Sequence, residues 1–538
     1  MHFTLRNFNP RLSFILTFSI AIICLLPILK SGLYSDDLEG FQARHGSAYF
    51  THKSVAELSS TSIVAWIHYG RFSPLALTQL EAVFRVFPSV GCYKIYVFIA
   101  NVLALISFVA LLWVIGYRAL IPLFLLFYSA GVQFRIQYHD GYTSFAGMYQ
   151  LLAFCMFASA TTYVLYQRNR KWFCLAISLI LFASALLTSE LAVAEIVLLF
   201  FCGYIGIRNW RKTLLSLLPF ILVQLVYFGI VIYVRMQVPR VYSGIAANLE
   251  PVAMFNTFKI QMFSALPFSN LYKQVAIPGI LIRQLHNLFN AMAVSAILLS
   301  FLVWIWRNPR ERLANNGNHL LVAIFAVSLA TIPAIILSSA VKYQQELRFG
   351  LGYLPVYLQN FGLALLLALI CMLCLQHAMR FIRGFGAIMT ITALVGVISA
   401  FLFNQALIKV KDYTLSLPAQ ALYENIEQGF LNDCEQHSRI VLQNSFYYGG
   451  IGGYDSIIRT VSRKVFYLYN GSEWIPGKED SLRVNCYSLS CTAGDTIFTR
   501  LSKVNCKSGE IGQLLKEKVQ ITGLQVVDVE KPILQWRD

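Results

Sequence analysis

Apolar runs close to the roughly 20 residues that a bilayer core requires recur along this chain from residue 12 to residue 406. In lipid, every backbone amide and carbonyl must be satisfied inside its own segment, so such runs fold as helices. The pattern predicts about eleven spans, over 12–30, 94–116, 119–134, 145–167, 172–188, 191–207, 213–234, 286–306, 320–340, 353–376 and 385–406. Composition agrees, since 57% of the 538 residues are hydrophobic and 13% charged, about half the charge of a soluble protein. The chain therefore reads as a mainly α, polytopic membrane protein.

A net charge of +17 would suit a nucleic-acid partner, but its distribution points elsewhere. Short basic clusters fall between alternate runs: Arg6 and Arg11, Arg118, Arg168 to Lys171, Arg208 with Arg211 and Lys212, Arg307 to Arg312, and Arg380 with Arg383. The positive-inside rule makes these loops, and the N-terminus, cytoplasmic. Residues 1–11 lack a cleavage-site pattern and the first run is too long for a signal core, so it is expected to be retained. An odd number of spans then places residues 407–538, after a transmembrane domain over 1–406, on the outer side. There 419–430 reads as helix, and 439–443, 464–469 and 525–529 read as strands separated by glycine-rich turns. A small mixed α/β extracytoplasmic domain is expected. Of the eleven cysteines, four (Cys434, Cys486, Cys491 and Cys506) lie in this tail. An even number suggests disulfides and an oxidising compartment, with the pairing open.

The polar residues expected outside are unusual for a membrane protein. Segment 31–92 opens with Tyr34-Ser-Asp-Asp-Leu-Glu-Gly40, which puts Asp36 and Asp37 where the first span leaves the membrane. Two adjacent carboxylates there cost free energy unless hydrated, paired or used. Two helical pieces follow, separated by Gly70-Arg-Phe-Ser-Pro74, and Pro74 suits a first helical turn. The second piece spaces Leu77, Leu80, Phe84 and Phe87 as an amphipathic helix lying along the membrane surface. Further outer segments carry Arg135, His139 and Asp140, then Lys342, Glu346 and Arg348. Glu190 falls at a turn between two short spans, with Glu195 a turn further on; a structural pairing is the plainer reading of both. Outward cations at membrane depth call for an anion, either a protein carboxylate or the phosphate of a lipid-linked substrate, which a guanidinium fork fits. The pair His139-Asp140 is too short for a metal signature. Walker loops, dinucleotide fingerprints, zinc spacings and nucleophile elbows are absent from the sequence.

This layout resembles the multi-span glycosyltransferases of the GT-C class, which take sugar from a polyprenyl-phosphate-linked donor on the non-cytoplasmic face. The likeness is carried by Asp36-Asp37 after the first span and by surface helices flanking Gly70-Arg-Phe-Ser-Pro74. About a dozen spans and an outer C-terminal domain add to it. Within the class the chain looks most like bacterial glucosyltransferases that modify O-antigen; lipid A aminoarabinose transferases and protein O-mannosyltransferases are more distant. The resemblance implies an inverting transfer to an envelope glycan or glycolipid acceptor, such as O-antigen, at the bacterial inner membrane. It implies Asp36 or Asp37 as general base, Asp140 as a second acid, and Arg348, Lys342, Arg71 and Arg135 at the donor phosphate. Glu346, Glu190 and His139 join the expected substrate-binding groups. Some members use a divalent metal such as Mg or Mn; this sequence offers no convincing ligand set. The expected partners are the lipid-linked donor, the acceptor and membrane lipid, not nucleic acid. Two other classes fit a polytopic chain: a polysaccharide polymerase or ligase, and a transporter or lipid flippase. A transporter should show two similar halves or paired broken spans, and neither is present in the sequence.

Overall fold

The computed structural model describes residues 10–34, 37, 40, 54–87, 89–135, 140–239, 241–267, 269, 319–347, 352–377, 379–411, 439–443, 467–470, 484–493 and 497–504. It is a helical bundle. Helix α1 (Pro10–Leu25) runs into a 3-10 turn, Leu26–Lys30, and α2 (Val55–Ile67) and α3 (Pro74–Val86) form the two pieces of the first outer loop. Then come α4 (Val90–Val114), α5 (Ile121–Gly131), α6 (Met148–Asn169), α7 (Trp172–Thr188), α8 (Glu195–Ile207), α9 (Trp210–Met236) and α10 (Pro251–Ala265). Helices α11 (His319–Ser338), α12 (Val341–Glu346), α13 (Val356–Gln376) and α14 (Arg380–Lys411) complete it. Among the described residues, eight helical segments are long and apolar enough to cross a membrane, and Val55–Ile67, Arg118–Gly131 and Trp172–Thr188 are shorter apolar helices. Every expected span has a helix at its position except 286–306, which lies outside the described residues.

The third expected span, 119–134, is already short or tightly joined in the sequence, and its helix α5 is shorter still. Its 11 residues rise only about 16 Å, roughly half a bilayer core. That brevity is tolerable because α5 is buried from Ile121 to Gly131 apart from Pro122, packed among α1, α13 and α14 rather than against lipid. Phe124 of α5 meets Phe108 of α4 at 4.7 Å between ring centroids; Phe108 also meets Phe157 of α6 at 4.7 Å. Phe361 of α13 closes this aromatic centre, 4.9 Å from Phe157. Beside it, Gly362 lets α13 approach α11, since a Cβ there would meet the Ala330 nitrogen at 2.5 Å.

The described polar contacts gather in two chemically different groups. Tyr117 and His319, in one group, lie 6.2 Å apart, and this group carries Arg118, Arg168, Arg170, Lys171, Arg208, Arg211 and Lys212. The other group holds Asp37, the start of α4, residues 132–135 and 140–147, and residues 339–347. Asn248, beyond α9, bonds there through its amide to the Ser339 carbonyl beyond α11 (2.7 Å).

Beyond α14 lie four strands, β1 (Arg439–Gln443), β2 (Tyr467–Asn470), β3 (Val484–Ala493) and β4 (Ile497–Val504), in the order β2-β1-β3-β4. Strand β1 pairs parallel with β2 and β3, whereas β3 and β4 pair antiparallel, Cys486 opposite Val504 and Cys491 opposite Thr499. The first strand stands where the sequence predicts it, and the second is described at 467–470, with 464–466 of its expected range outside the described residues. Strands β3 and β4 escape sequence reasoning because Val484-Asn-Cys-Tyr-Ser-Leu-Ser-Cys-Thr-Ala493 has few large apolar residues to mark a period of two. The expected helix 419–430, the strand 525–529, Cys434 and Cys506 lie outside the described residues.

Candidate active site

Three polar corners occupy the end of the bundle that carries Asp37, and they differ in how fully their hydrogen bonds are met.

The first is built on Asp37, which is 1% exposed. Tyr93 Oη, from the first turn of α4, donates to Asp37 Oδ2 at 2.6 Å. The backbone amides of Phe145 (2.8 Å) and Ala146 (3.3 Å) donate to Oδ1. Those amides converge because Phe145, Ala146 and Gly147 all take left-handed conformations, at φ 63°, 50° and 71°. A left-handed non-glycine residue costs about 1–2 kcal/mol, so this turn persists only because its surroundings hold it. The carboxylate supplies that hold, with the N-terminus of α6 immediately behind it favouring negative charge. Gln79 of α3 fixes the turn from the other side, donating to the Ala146 carbonyl at 2.8 Å and to Tyr96 Oη at 2.9 Å. Asp36 lies outside the described residues.

Two lysines flank this corner that sequence reasoning did not single out. Lys94 Nζ donates to the Thr143 carbonyl at 2.7 Å and lies 5.3 Å from the centre of the Tyr34 ring. Lys411 Nζ, at the end of α14, lies 4.9 Å from the same ring. Both are nearly fully buried. The signal was present for Lys94: a cation five residues into an apolar helix is costly and marks a site.

The second corner holds Arg135 and Asp140. Asp140 is completely buried and accepts the amides of Arg135 (3.0 Å) and Tyr142 (2.8 Å), bringing those two backbone positions onto one carboxylate. The Arg135 guanidinium donates to the Ser264 carbonyl at 2.6 Å, at the end of α10, and to Ser269 Oγ at 3.4 Å. A cation on the last carbonyls of a helix satisfies groups that lack partners there and complements the helix dipole. Burial lowers the Arg135 pKa, and the charge of Asp140 opposes that fall. Both side chains thus tie neighbouring segments together at this corner. His139 lies outside the described residues.

The third corner is open. The Arg71 guanidinium lies over the Trp66 ring, 5.2 Å from its centre, and Trp66 meets Tyr242 edge-on at 5.4 Å. Gly70 makes this turn possible: its φ is +77°, and a Cβ would press on Val238 at 3.2 Å. Lys342 Nζ donates to Tyr242 Oη at 3.0 Å and lies 3.8 Å from Glu346. Tyr343 and Tyr353 pair at 4.6 Å between ring centroids. Burial works against the Lys342 charge, but the Tyr242 hydroxyl and Glu346 outweigh it and raise its pKa above 10.5. Among the described residues the Arg71 guanidinium has neither a hydrogen bond nor an ion pair, and it is only half-buried. Glu190, which could have neutralised a neighbouring cation, is taken by Arg235 at 3.0 Å. Arg348 lies outside the described residues.

The first and third corners adjoin. Helix α3 joins them: it starts three residues after Arg71, and its Gln79 donates to the carbonyl of Ala146, whose amide binds Asp37. Among the described residues no three His, Cys, Asp or Glu side chains cluster as a metal site would require, and the described oxygens of Asp37 already accept a phenol and two amides. Elsewhere, Glu195 of α8 is fully buried, and among the described residues neither carboxylate oxygen meets a donor in hydrogen-bond geometry.

No family model and no curated protein matches the chain. Among solved structures it is similar to the crystal structure of ArnT from Cupriavidus metallidurans bound to undecaprenyl phosphate. Identity is 12%, over 94% of this chain and 99% of that one, with a TM-score of 0.40. A likeness this distant assigns neither activity nor substrate.

Proposed function

We propose that the chain is an inverting membrane glycosyltransferase, moving a sugar from a polyprenyl-phosphate-linked donor to an envelope glycan or glycolipid acceptor. The observation that carries this is the half-buried Arg71 guanidinium on its aromatic platform, beside Lys342, without a carboxylate partner among the described residues. An outward cation of this kind wants an anion, and phosphate matches a planar fork. Trp66, Tyr242 and Tyr343 offer flat apolar faces suited to a sugar ring next to it. The acidic corner, one helix start away, supplies a carboxylate for proton transfer.

In this reading Asp36 is the base, because the carboxylate of Asp37 is occupied. Asp36 takes the proton of an acceptor hydroxyl as its oxygen bonds to the anomeric carbon, and the bond from that carbon to the phosphate oxygen breaks. The departing phosphate is already anionic and needs charge stabilisation, which Arg71 and Lys342 provide, joined by Arg348. The site faces away from the basic loops, so the N-terminus is cytoplasmic and the reaction is periplasmic at a bacterial inner membrane. O-antigen is the acceptor that the sequence resemblance favours, and nothing in the chemistry of the three corners requires a metal.

The test is sugar transfer in membranes expressing equal amounts of wild type, Asp36→Asn and Arg71→Ala, supplied with polyprenyl-phosphate-linked sugars. Wild-type transfer reduced roughly 10²–10⁴-fold by Asp36→Asn is expected. Transfer that ignores both substitutions, or no transfer from any such donor, rules the proposal out.

A further inference from the structure

We infer that Tyr242 is a positioning residue: it makes one site for the phosphate of a polyprenyl lipid out of two cations from separate loops, Arg71 and Lys342. The inference rests on the reading of those two cations as the groups that meet the donor phosphate, and is independent of which carboxylate is the base.

Tyr242 is bonded to both loops at once. On one side its backbone amide donates to the Tyr69 carbonyl at 3.0 Å, two residues before Arg71. Its ring meets Trp66 edge-on at 5.4 Å, and Trp66 is the indole over which Arg71 lies at 5.2 Å. On the other side its hydroxyl accepts Lys342 Nζ at 3.0 Å, and the carbonyl of the next residue, Ser243, accepts the Lys342 amide at 3.1 Å. The Lys342 ammonium also lies 5.6 Å from the centre of the Tyr242 ring. The backbone bonds thus join the two loops, and the side chain places their charges: the ring supports the indole under Arg71, and the hydroxyl holds the ammonium.

The turn around Tyr242 is shaped to keep the ring there. Its carbonyl accepts the amides of Ile245 (2.9 Å) and Ala246 (3.0 Å), and the Ala246 carbonyl accepts the Val341 amide at 3.0 Å, which fastens the turn to the start of α12. The ring folds back over Gly244, where a Cβ would collide with it, so the close approach requires glycine. Two like charges on one aromatic pair repel each other until an anion neutralises them. Glu346 answers Lys342 at 3.8 Å from a side chain 54% exposed, and among the described residues no carboxylate answers Arg71. A phosphate has oxygens enough to accept from a guanidinium fork and an ammonium together. The Lys342 side chain is 18% exposed, so the site is open to such a group.

The experiment measures binding of polyprenyl phosphate, with neutral polyprenol as control, to the full chain purified in detergent. Lys342→Ala and Arg71→Ala are each made in wild type and in the Tyr242→Phe background, with Tyr242→Leu and Gly244→Ala beside them. Phenylalanine keeps the ring and removes only the hydroxyl. We expect Tyr242→Phe and Lys342→Ala each to raise Kd about tenfold, and their combination to add less than about twofold to either. Arg71→Ala should raise Kd by the same factor in both backgrounds, because the ring beside Trp66 is retained. Tyr242→Leu and Gly244→Ala should each lose more than Tyr242→Phe, since both displace the ring as well. Hydrogen exchange at the amides of Tyr242 and Lys342 should be unchanged in Tyr242→Phe, which separates positioning from a loosened fold. Losses from Tyr242→Phe and Lys342→Ala that multiply in full would overturn the inference, as would faster exchange in Tyr242→Phe or wild-type binding in Gly244→Ala. So would a wild type that holds polyprenyl phosphate no better than polyprenol. A wild type that shows the coupling yet transfers no sugar leaves the inference standing and ends the transferase reading alone.

Discussion

Two arginines at the same end of the bundle show how similar residues divide between scaffold and function. Arg135 is 5% exposed and its guanidinium is spent on Ser264 and Ser269, tying its own loop to the end of α10. Arg71 is half-buried, stacked on Trp66, and has no hydrogen-bonding or acidic partner among the described residues. A buried polar group whose bonds are all met is expensive to disturb and offers a ligand nothing. A cation presented on an aromatic face and left open is inexpensive to the fold and valuable to an anion. The carboxylates follow the same division, with Asp37 and Asp140 both occupied by backbone amides.

The largest expected effect tests that division directly. Arg71→Ala should leave the thermal midpoint in detergent nearly unchanged and lower kcat/KM by roughly 10²–10³, about 3–4 kcal/mol of transition-state stabilisation. Arg71→Lys should recover only part of it, because an ammonium keeps the charge but not the fork. Arg135→Met should do the reverse, lowering the midpoint and yield while the surviving enzyme keeps its donor KM. If the two arginines exchange these signatures, the comparison is wrong.

A smaller effect concerns the strained turn beside Asp37. Gly147 sits at φ +71°, and a Cβ there would meet the Tyr96 ring at 3.0 Å; Gly116 sits at φ +93° with nothing within 4 Å. Both positions strain an L-residue, but only Gly147 adds a collision within a network that Gln79 and Tyr96 complete. Gly147→Ala should therefore destabilise by about 1–3 kcal/mol, and Gly116→Ala by less. Equal losses of thermal midpoint for the two would indicate that the turn is no more constrained than an ordinary loop.

What could be read from the sequence, and what could not, follows the same physics. Spans were legible because lipid permits one backbone solution for a long apolar run. The brevity of the third run was legible as well, but which neighbours would enclose Ile121–Gly131 was not. At the site, residue types and the end of the bundle that holds them were readable, including Arg71 and Lys342. Which charges were already spoken for was not: Asp37 finds its amides 108 and 109 residues away, and Arg135 finds its carbonyl 129 residues away. Lys94 was passed over because it begins an apolar helix, although its place there was the very signal of a special partner.

The smallest expected effect lies in the pH response of the open corner, and its direction is fixed by three groups. The Lys342 pKa is raised above 10.5, and burial raises Tyr343 and Tyr353 above 10.0. A lysine whose folded pKa exceeds its unfolded value contributes stability that is present below the unfolded pKa and lost as pH rises through the folded one. The two phenols, bound more tightly to their protons in the fold, act in the same sense. The corner thus keeps its cation and its neutral hydroxyls throughout the neutral range, and any loss belongs to the alkaline side. Donor KM should change less than about twofold between about pH 7 and about pH 9 in wild type. Tyr242→Phe removes the hydroxyl bonded to Lys342 at 3.0 Å, so burial acts with less opposition and the alkaline rise in KM should begin earlier. A wild-type KM that climbs steeply before pH 9, or a Tyr242→Phe profile that coincides with wild type, would remove Lys342 from the open corner and leave the phosphate to Arg71 alone.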